Sequence, residues 1–117
     1  MKILQYSNKE KMMKIAVDYF TAWNEHDLVG LRNLFDKKIV LKDWDICQVG
    51  IENVLKASSN IFKTVPNIKV DVIDMAISQT KIMAEIKVLI NKEESIDVID
   101  VLEIENDLIK NIKAFKC

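Results

Sequence analysis

Residues 19–28 read YFTAWNEHDL, and this stretch joins the end of one predicted helix to the start of the next. Tyr19 and Trp23 have the spacing of one helix face and lie on its apolar stripe. The polar residues 24–26 end that helix, and the carboxylate of Asp27 can cap a short second helix. The stretch therefore predicts two consecutive helices that bury their apolar faces against the rest of the chain.

The pattern on either side of this stretch predicts three helices and then strands. The first helix begins after Ser7, because Ser7 and Glu10 form a capping-box pattern. A third helix follows Gly50, and Pro66 breaks the chain after it. The inner faces of the second and third helices are predicted to carry Leu28, Leu31, Leu34, Phe35, Ile51, Val54, Leu55, Ser58, Ile61 and Phe62.

Strands are predicted at residues 39–44, 68–72, 82–90, 95–104 and 108–115. After Pro66 the apolar period changes from about 3.6 residues to about 2, which indicates strands rather than helices. Helices followed by an antiparallel meander predict an α+β fold. No linker or repeat divides the sequence, so a single domain over residues 1–117 is expected.

Composition limits the possible functions. The chain has 117 residues, a net charge of −1 and no basic run, so neither a nucleic acid nor a membrane is an expected partner. Residues 1–10 lack the features of a signal peptide, and Cys47 and Cys117 are expected to be buried or spectator thiols in a reducing cytoplasm. A single histidine, His26, and a single arginine, Arg32, exclude sites that need several of either; His26 is expected to be a solvated turn residue.

Three polar residues occupy positions where the pattern calls for hydrocarbon. Tyr19 lies on the stripe of the first helix, and Asp43 and Asp100 lie on apolar faces of two predicted strands. A buried carboxyl has a raised pKa and can donate a proton near neutrality, whereas a more hydrated carboxylate can accept one. The three residues therefore predict a lined pocket with acid/base chemistry.

Residues 19–28, together with Leu31 and Leu34-Phe35, resemble the opening of the NTF2-like superfamily. Residues 99–115 are similar to the last hairpin of that superfamily, which includes SnoaL-like polyketide cyclases and ketosteroid isomerase. The resemblance covers nearly the whole chain. It implies three N-terminal helices packed on a curved, mainly antiparallel sheet that encloses an apolar cavity.

The resemblance to ketosteroid isomerase implies a role for each of the three polar residues. Asp43 matches the base that shuttles a proton, and Tyr19 and Asp100 match the two groups that hold the oxygen of a dienolate. The expected activity is proton transfer on a small apolar carbonyl compound, with no metal and no cofactor. The isomerases carry a further tyrosine on the third helix, where this chain has Ser58.

Several alternatives remain open at this stage. Asp45 lies on the same predicted strand face as Asp43 and could replace it as the base. A polyketide cyclase-like mechanism would depend mainly on Asp100. A non-catalytic member of the fold would act as a ligand-binding or dimerisation module. The residues expected to line the pocket are Phe20, Trp23, Trp44, Ser58, Phe62, Leu102 and Phe115.

The predicted strand at residues 95–104 is apolar on both faces. Val98, Leu102 and Ile104 share one face with Asp100, and Ile99 and Val101 share the other. One face should meet the helices. An exposed apolar sheet face is unfavourable in a monomer, so a homodimer formed through this sheet is expected.

Overall fold

The computed structural model describes residues 7–117. The elements are α1 (Asn8–Asn24), α2 (Leu28–Leu34), β1 (Phe35–Lys42), β2 (Cys47–Val49), α3 (Ile51–Thr64), β3 (Lys69–Ile77), β4 (Lys81–Leu89), β5 (Ser95–Glu105) and β6 (Leu108–Lys116). The six strands form one open, curved sheet in the order β2-β1-β6-β5-β4-β3. All neighbouring strands are antiparallel except β1 and β6. The predicted α+β fold, with three helices against a mainly antiparallel sheet, is confirmed.

The helix starts follow the predicted caps. The Ser7 hydroxyl accepts a hydrogen bond from the Glu10 backbone N–H at 3.1 Å, and Asp27 Oδ1 accepts one from the Gly30 N–H at 2.9 Å. Each contact satisfies a donor that the first turn of a helix leaves free. Gly50 precedes α3 with a φ of 92°, a backbone conformation that favours glycine.

The region between α2 and α3 differs from the predicted pattern. Phe35, expected on the inner face of α2, begins β1 instead, and β1 ends at Lys42 rather than at residue 44. A turn at residues 43–46 leads into β2, which was not predicted because a strand of three residues is too short to establish a period. The turn is held by the side chain of Asp43, described below.

The stretch at residues 19–28 also fixes the end of α1 to the sheet. The Asn24 side-chain amide donates to the Val70 carbonyl at 2.9 Å and accepts from the Val70 N–H at 2.7 Å. The Asn24 side chain thus satisfies backbone groups at the free edge of β3, as a neighbouring strand would. His26 lies 2.9 Å from the Ile68 carbonyl through Nε2, and its ring stacks on that of Phe62 with centroids 4.2 Å apart. The expectation of a solvated His26 is therefore wrong.

The helices cover one face of the sheet, called here the inner face. The buried core lies between this face and α1, α2 and α3. Cys47 and Cys117 are both free thiols on the surface, so neither is buried. Across residues 7–117, no helix combines the length and the apolar character needed to span a membrane.

Candidate active site

A cavity of about 200 Å³ lies between the inner face of the sheet and helices α1 and α3. Its polar wall residues are Tyr19, Asp43, Ser58 and Asp100, and the remaining wall is apolar. All three residues singled out as polar groups at apolar positions therefore face one hollow. In a largely apolar site of this kind, hydrogen bonds and charges act more strongly than on the surface.

Tyr19 enters the cavity from α1, and its side chain is buried. Its ring contacts those of Phe20 and Phe35, at centroid distances of 5.1 and 6.3 Å. Burial raises the pKa of the Tyr19 hydroxyl well above its ordinary value, and the nearby Asp100 carboxyl raises it further. The hydroxyl therefore keeps its proton and is a permanent hydrogen-bond donor.

Asp100 projects from the middle of β5 and is 8% exposed. Its partners in the neighbouring strands are Ala84 and Ala114, whose small side chains leave space beside the carboxyl. Burial raises the pKa of Asp100 to about 7, and the charge of Asp43 contributes to the rise. Near neutral pH the group exists in both forms, so it can donate or accept a proton.

Asp43 lies one residue beyond the end of β1, and the expectation that it occupies a strand face is wrong. Its Oδ1 accepts hydrogen bonds from the Asp45 and Ile46 N–H groups, at 2.7 and 2.6 Å, which closes the turn into β2. The residue is half-buried and still lines the cavity. Asp45, the alternative base, is exposed and does not line the cavity.

Ser58, which the resemblance to ketosteroid isomerase matches to a further tyrosine, lies on α3. Its side chain is buried on α3, and its hydroxyl donates to the Val54 carbonyl at 3.0 Å. The hydroxyl proton of Ser58 is thus already engaged in a hydrogen bond within α3. Its oxygen adds an acceptor, rather than a second donor, to the wall of the cavity.

The other predicted pocket residues divide into two groups. Phe20, Trp23 and Trp44 lie on the cavity wall, as Ser58 does. Phe62, Leu102 and Phe115 were also expected there and do not line it.

Each of these three has a physical reason for its different position. Phe62 packs its ring on those of His26 and Trp23 beside the cavity. Leu102 is fully buried in the core, one inward-facing position beyond Asp100 on β5. Phe115 is 54% exposed, because the adjacent Ala114 points inward and Phe115 therefore points to the outer face.

Part of the cavity wall comes from the end of β4 and the residue after it, and this part was not predicted. Ile86, Val88 and Ile90 line the cavity there. The alternation of apolar residues along β4 was the available signal, since it places these three side chains on one face.

The charges around the cavity determine which groups it can hold. Among residues 7–117, no lysine, arginine or histidine lines it, and no group of three or more His, Cys, Asp or Glu residues is placed to hold a metal ion. A phenol and a protonated carboxyl can stabilise negative charge that develops on a ligand oxygen. A neighbouring carboxylate can take up a proton.

Comparison with protein-family models finds a match to the SnoaL-like domain over residues 16–112. No curated protein matches the sequence. Among solved structures, a proposed SnoaL-like polyketide cyclase from Jannaschia sp. CCS1 is similar, with a TM-score of 0.84 and 9% identity over 98% of this chain and 91% of that one. A proposed ketosteroid isomerase from Kribbella flavida has a TM-score of 0.81 and 14% identity over 92% of this chain and 78% of that one.

A de novo designed protein with a curved β-sheet is also similar, with a TM-score of 0.79 and 16% identity over 93% of this chain and 87% of that one. At such identities the likeness establishes the fold alone. Because this fold also occurs in a designed protein, an activity must be argued from the residues of the site.

Proposed function

The chain belongs to the SnoaL-like domain family, and from that premise we propose that it catalyses cofactor-free proton transfer beside the carbonyl group of a small apolar compound, as isomerases and cyclases do. One observation carries this proposal: Tyr19, Asp43 and Asp100 line a single apolar cavity. A structural role alone does not account for two carboxyls and a phenol around one hollow, because burying such groups is unfavourable.

Each residue has a role in the proposed reaction. Asp43 removes a proton from the carbon next to the carbonyl, and the electron pair left behind forms an enolate or dienolate. Tyr19 and Asp100 donate hydrogen bonds to the oxygen on which the negative charge develops. Protonated Asp43 then returns the proton to the same carbon or to a conjugated one, which regenerates the carboxylate. No atom or electron is gained or lost overall.

The volume of the cavity limits the substrate. An apolar cavity of about 150 Å³ holds one benzene molecule. The present cavity of about 200 Å³ therefore suits a substituted single ring or two fused rings. We accordingly propose a substrate smaller than a four-ring steroid.

The test of this function is deuterium incorporation into 1-tetralone, a ketone with two fused rings, in D₂O. We expect the protein to accelerate exchange at the carbon beside the carbonyl, with a rate that falls as pH rises through about 7. The fall follows from Asp100, whose pKa is about 7 and which donates only in its protonated form. The variant Asp100→Asn keeps a donor but cannot titrate, so its rate should lack this pH dependence.

The opposite pH dependence would support a different mechanism. A rate that rises through pH 7 indicates Asp100 as the base, as in the cyclase-like alternative. Exchange no faster than in buffer, with 1-tetralone shown to bind, would contradict both mechanisms. It would instead support the non-catalytic ligand-binding module, which is favoured by the use of Asp43 Oδ1 in the turn.

We also propose that the protein forms a homodimer through the outer face of the sheet. Ile99 and Val101 of β5 lie there, beside Phe115 of β6 and Met83 of β4. Phe115 and Met83 are 54% and 38% exposed. These four side chains form an apolar patch, with Glu85 and Lys113 as neighbours in the same rows, on a sheet face that no helix of residues 7–117 covers.

Sedimentation velocity at micromolar concentration should show a dimer for the wild-type protein and a monomer for Ile99→Glu. The cross-strand partners of Ile99 are Phe115 and Glu85, so the glutamate would place an unpaired charge in the proposed interface. Val29→Glu, on the exposed surface of α2, is the matched control and should remain dimeric. A monomeric wild-type protein would overturn the dimer.

A further inference from the structure

Trp44 separates the cavity from a second hollow on the neighbouring surface. It is 44% exposed and lines both spaces, as Asp43 does. Lys42, Lys113, Phe115 and Lys116 form much of the other wall of the second hollow. The strand register places Lys42 and Lys113 on the outer side of the sheet, and Lys116 on the inner side opposite Val98. A ligand that leaves the cavity past the edge of Trp44 therefore meets Lys116 first.

Two of the three lysines are placed unfavourably for the protein alone. Lys42 and Lys113 are direct partners in the β1–β6 register, and like charges opposite each other destabilise a sheet. Lys116 Nζ lies 5.8 Å from the centroid of the Trp44 ring. Within the described part of the chain, none of the three forms a salt bridge. Their positive charge is thus available to an external anion.

Lys116 belongs to the mouth of the cavity by its position in the sheet. Its cross-strand partner is Val98, whose side chain lines the cavity. The carboxylate of Asp43 lies on the same wall, and its Oδ1 is already hydrogen-bonded to two backbone N–H groups. Those bonds reduce the repulsion that an approaching anion would meet.

The interior of the cavity lacks the positive charge found at its mouth, since two carboxyls and no cation line it among residues 7–117. An anionic group is therefore excluded from the interior and attracted to the mouth. Building on the function proposed above, we propose that the substrate is an amphipathic anion, whose uncharged ring system enters the cavity while a carboxylate, sulfonate or phosphate group stays at the mouth against Lys116. This polarity orients the oxygen-bearing end of the ring towards Tyr19 and Asp100.

Two probes that differ only in the anionic group test this inference. The first is 2-naphthol, an uncharged two-ring compound with one oxygen, and the second is 6-hydroxynaphthalene-2-sulfonate, whose charge lies at the far end of the rings. Calorimetry at low salt should give up to about five-fold tighter binding of the sulfonate, as expected for one exposed ion pair. Salt at 0.5 M should remove most of this difference.

The variant Lys116→Gln should bring sulfonate binding towards that of 2-naphthol and leave 2-naphthol binding unchanged. Lys81→Gln, at the opposite end of β4, removes the same charge from the chain and should change neither. Equal affinities for the two probes in the wild-type protein, or a preference that persists in Lys116→Gln, would overturn the inference. If neither probe binds, the proposed pocket itself is wrong, whereas 2-naphthol binding without a sulfonate preference refutes only the anionic substrate.

Discussion

Replacing Asp100 with asparagine should raise the free energy of unfolding at pH 8 by about 4 kcal/mol and have little effect near pH 4. The folded protein holds the pKa of Asp100 at about 7, against an ordinary value of 3.8. Between these two values the folded state keeps a proton that the unfolded state has released. The wild-type free energy of unfolding therefore falls as pH rises from about 4 to 7, and stays low above that range.

The size of the effect follows from the gap between the two pKa values, which corresponds to on the order of 4 kcal/mol. Asparagine has nearly the shape of the protonated carboxyl and cannot ionise, so it removes the pH-dependent penalty. Urea unfolding of the wild type and of Asp100→Asn, at several pH values between 4 and 8, measures this difference in the free energy of unfolding. The exposed Asp45→Asn is the matched control and should follow the wild-type curve. Parallel curves for Asp100→Asn and the wild type would show that Asp100 ionises in the fold as it does in water.

The position of Asp100 was predictable because it lies in the interior of a long strand. Alternation along β5 assigns Val98, Asp100 and Leu102 to one face, and all three are buried. The same argument failed for Asp43, since a short polar side chain can bond the backbone two or three residues on. That local bond ended β1 one residue before Asp43. Side-chain periodicity contains no information about such a turn.

Phe115 shows how a single inserted residue reverses a prediction. Ile104 pairs with Ile109, but Glu103 pairs with Asn111, so Lys110 is an extra residue in β6. This bulge shifts the alternation along β6 by one position. Without it, Phe115 would share the inner face with Ile109. With it, Ala114 lines the cavity and Phe115 faces outward.

The volume of the cavity could not be predicted from any one segment. It depends on small side chains from separate elements, such as Ser58 on α3 and Ala114 on β6, and on the curvature of the sheet. The bulge between Val72 and Asp74 in β3 contributes to that curvature. A sequence pattern identifies the inward-facing side chains but not the space that they leave unfilled.

The charge of Asp43 should be essential for proton transfer and dispensable for the fold. Asp43→Asn keeps an oxygen that can accept the Asp45 and Ile46 N–H bonds, so the turn and the stability should be retained. The amide cannot take up a proton, and we expect deuterium exchange into 1-tetralone to slow by about 100- to 10,000-fold. Asp43→Ala should lose both the turn contacts and the activity.

The outcome for Asp43 separates the catalytic proposal from the non-catalytic one. If Asp43→Asn exchanges at the wild-type rate while Asp43→Ala unfolds more easily, the carboxylate only closes the turn, and the proposed base is wrong. Asp45→Asn is the control here too, because only the backbone N–H of Asp45 takes part in the turn. It should leave the rate unchanged.

Tyr19→Phe tests the other proposed role, the hydrogen bond to the oxygen of the substrate. Phenylalanine preserves the ring contacts with Phe20 and Phe35 and removes only the hydroxyl. Because that hydroxyl would donate to the oxygen of the enolate, we expect its loss to slow exchange by about 100- to 1,000-fold without weakening the fold. If the rate stays within a few-fold of the wild type, Tyr19 is only a wall residue, and stabilisation of the oxygen would rest on Asp100 alone. A rate lowered in both Asp43→Asn and Tyr19→Phe, with unfolding unchanged in each, requires a base and an oxygen-binding donor in one cavity.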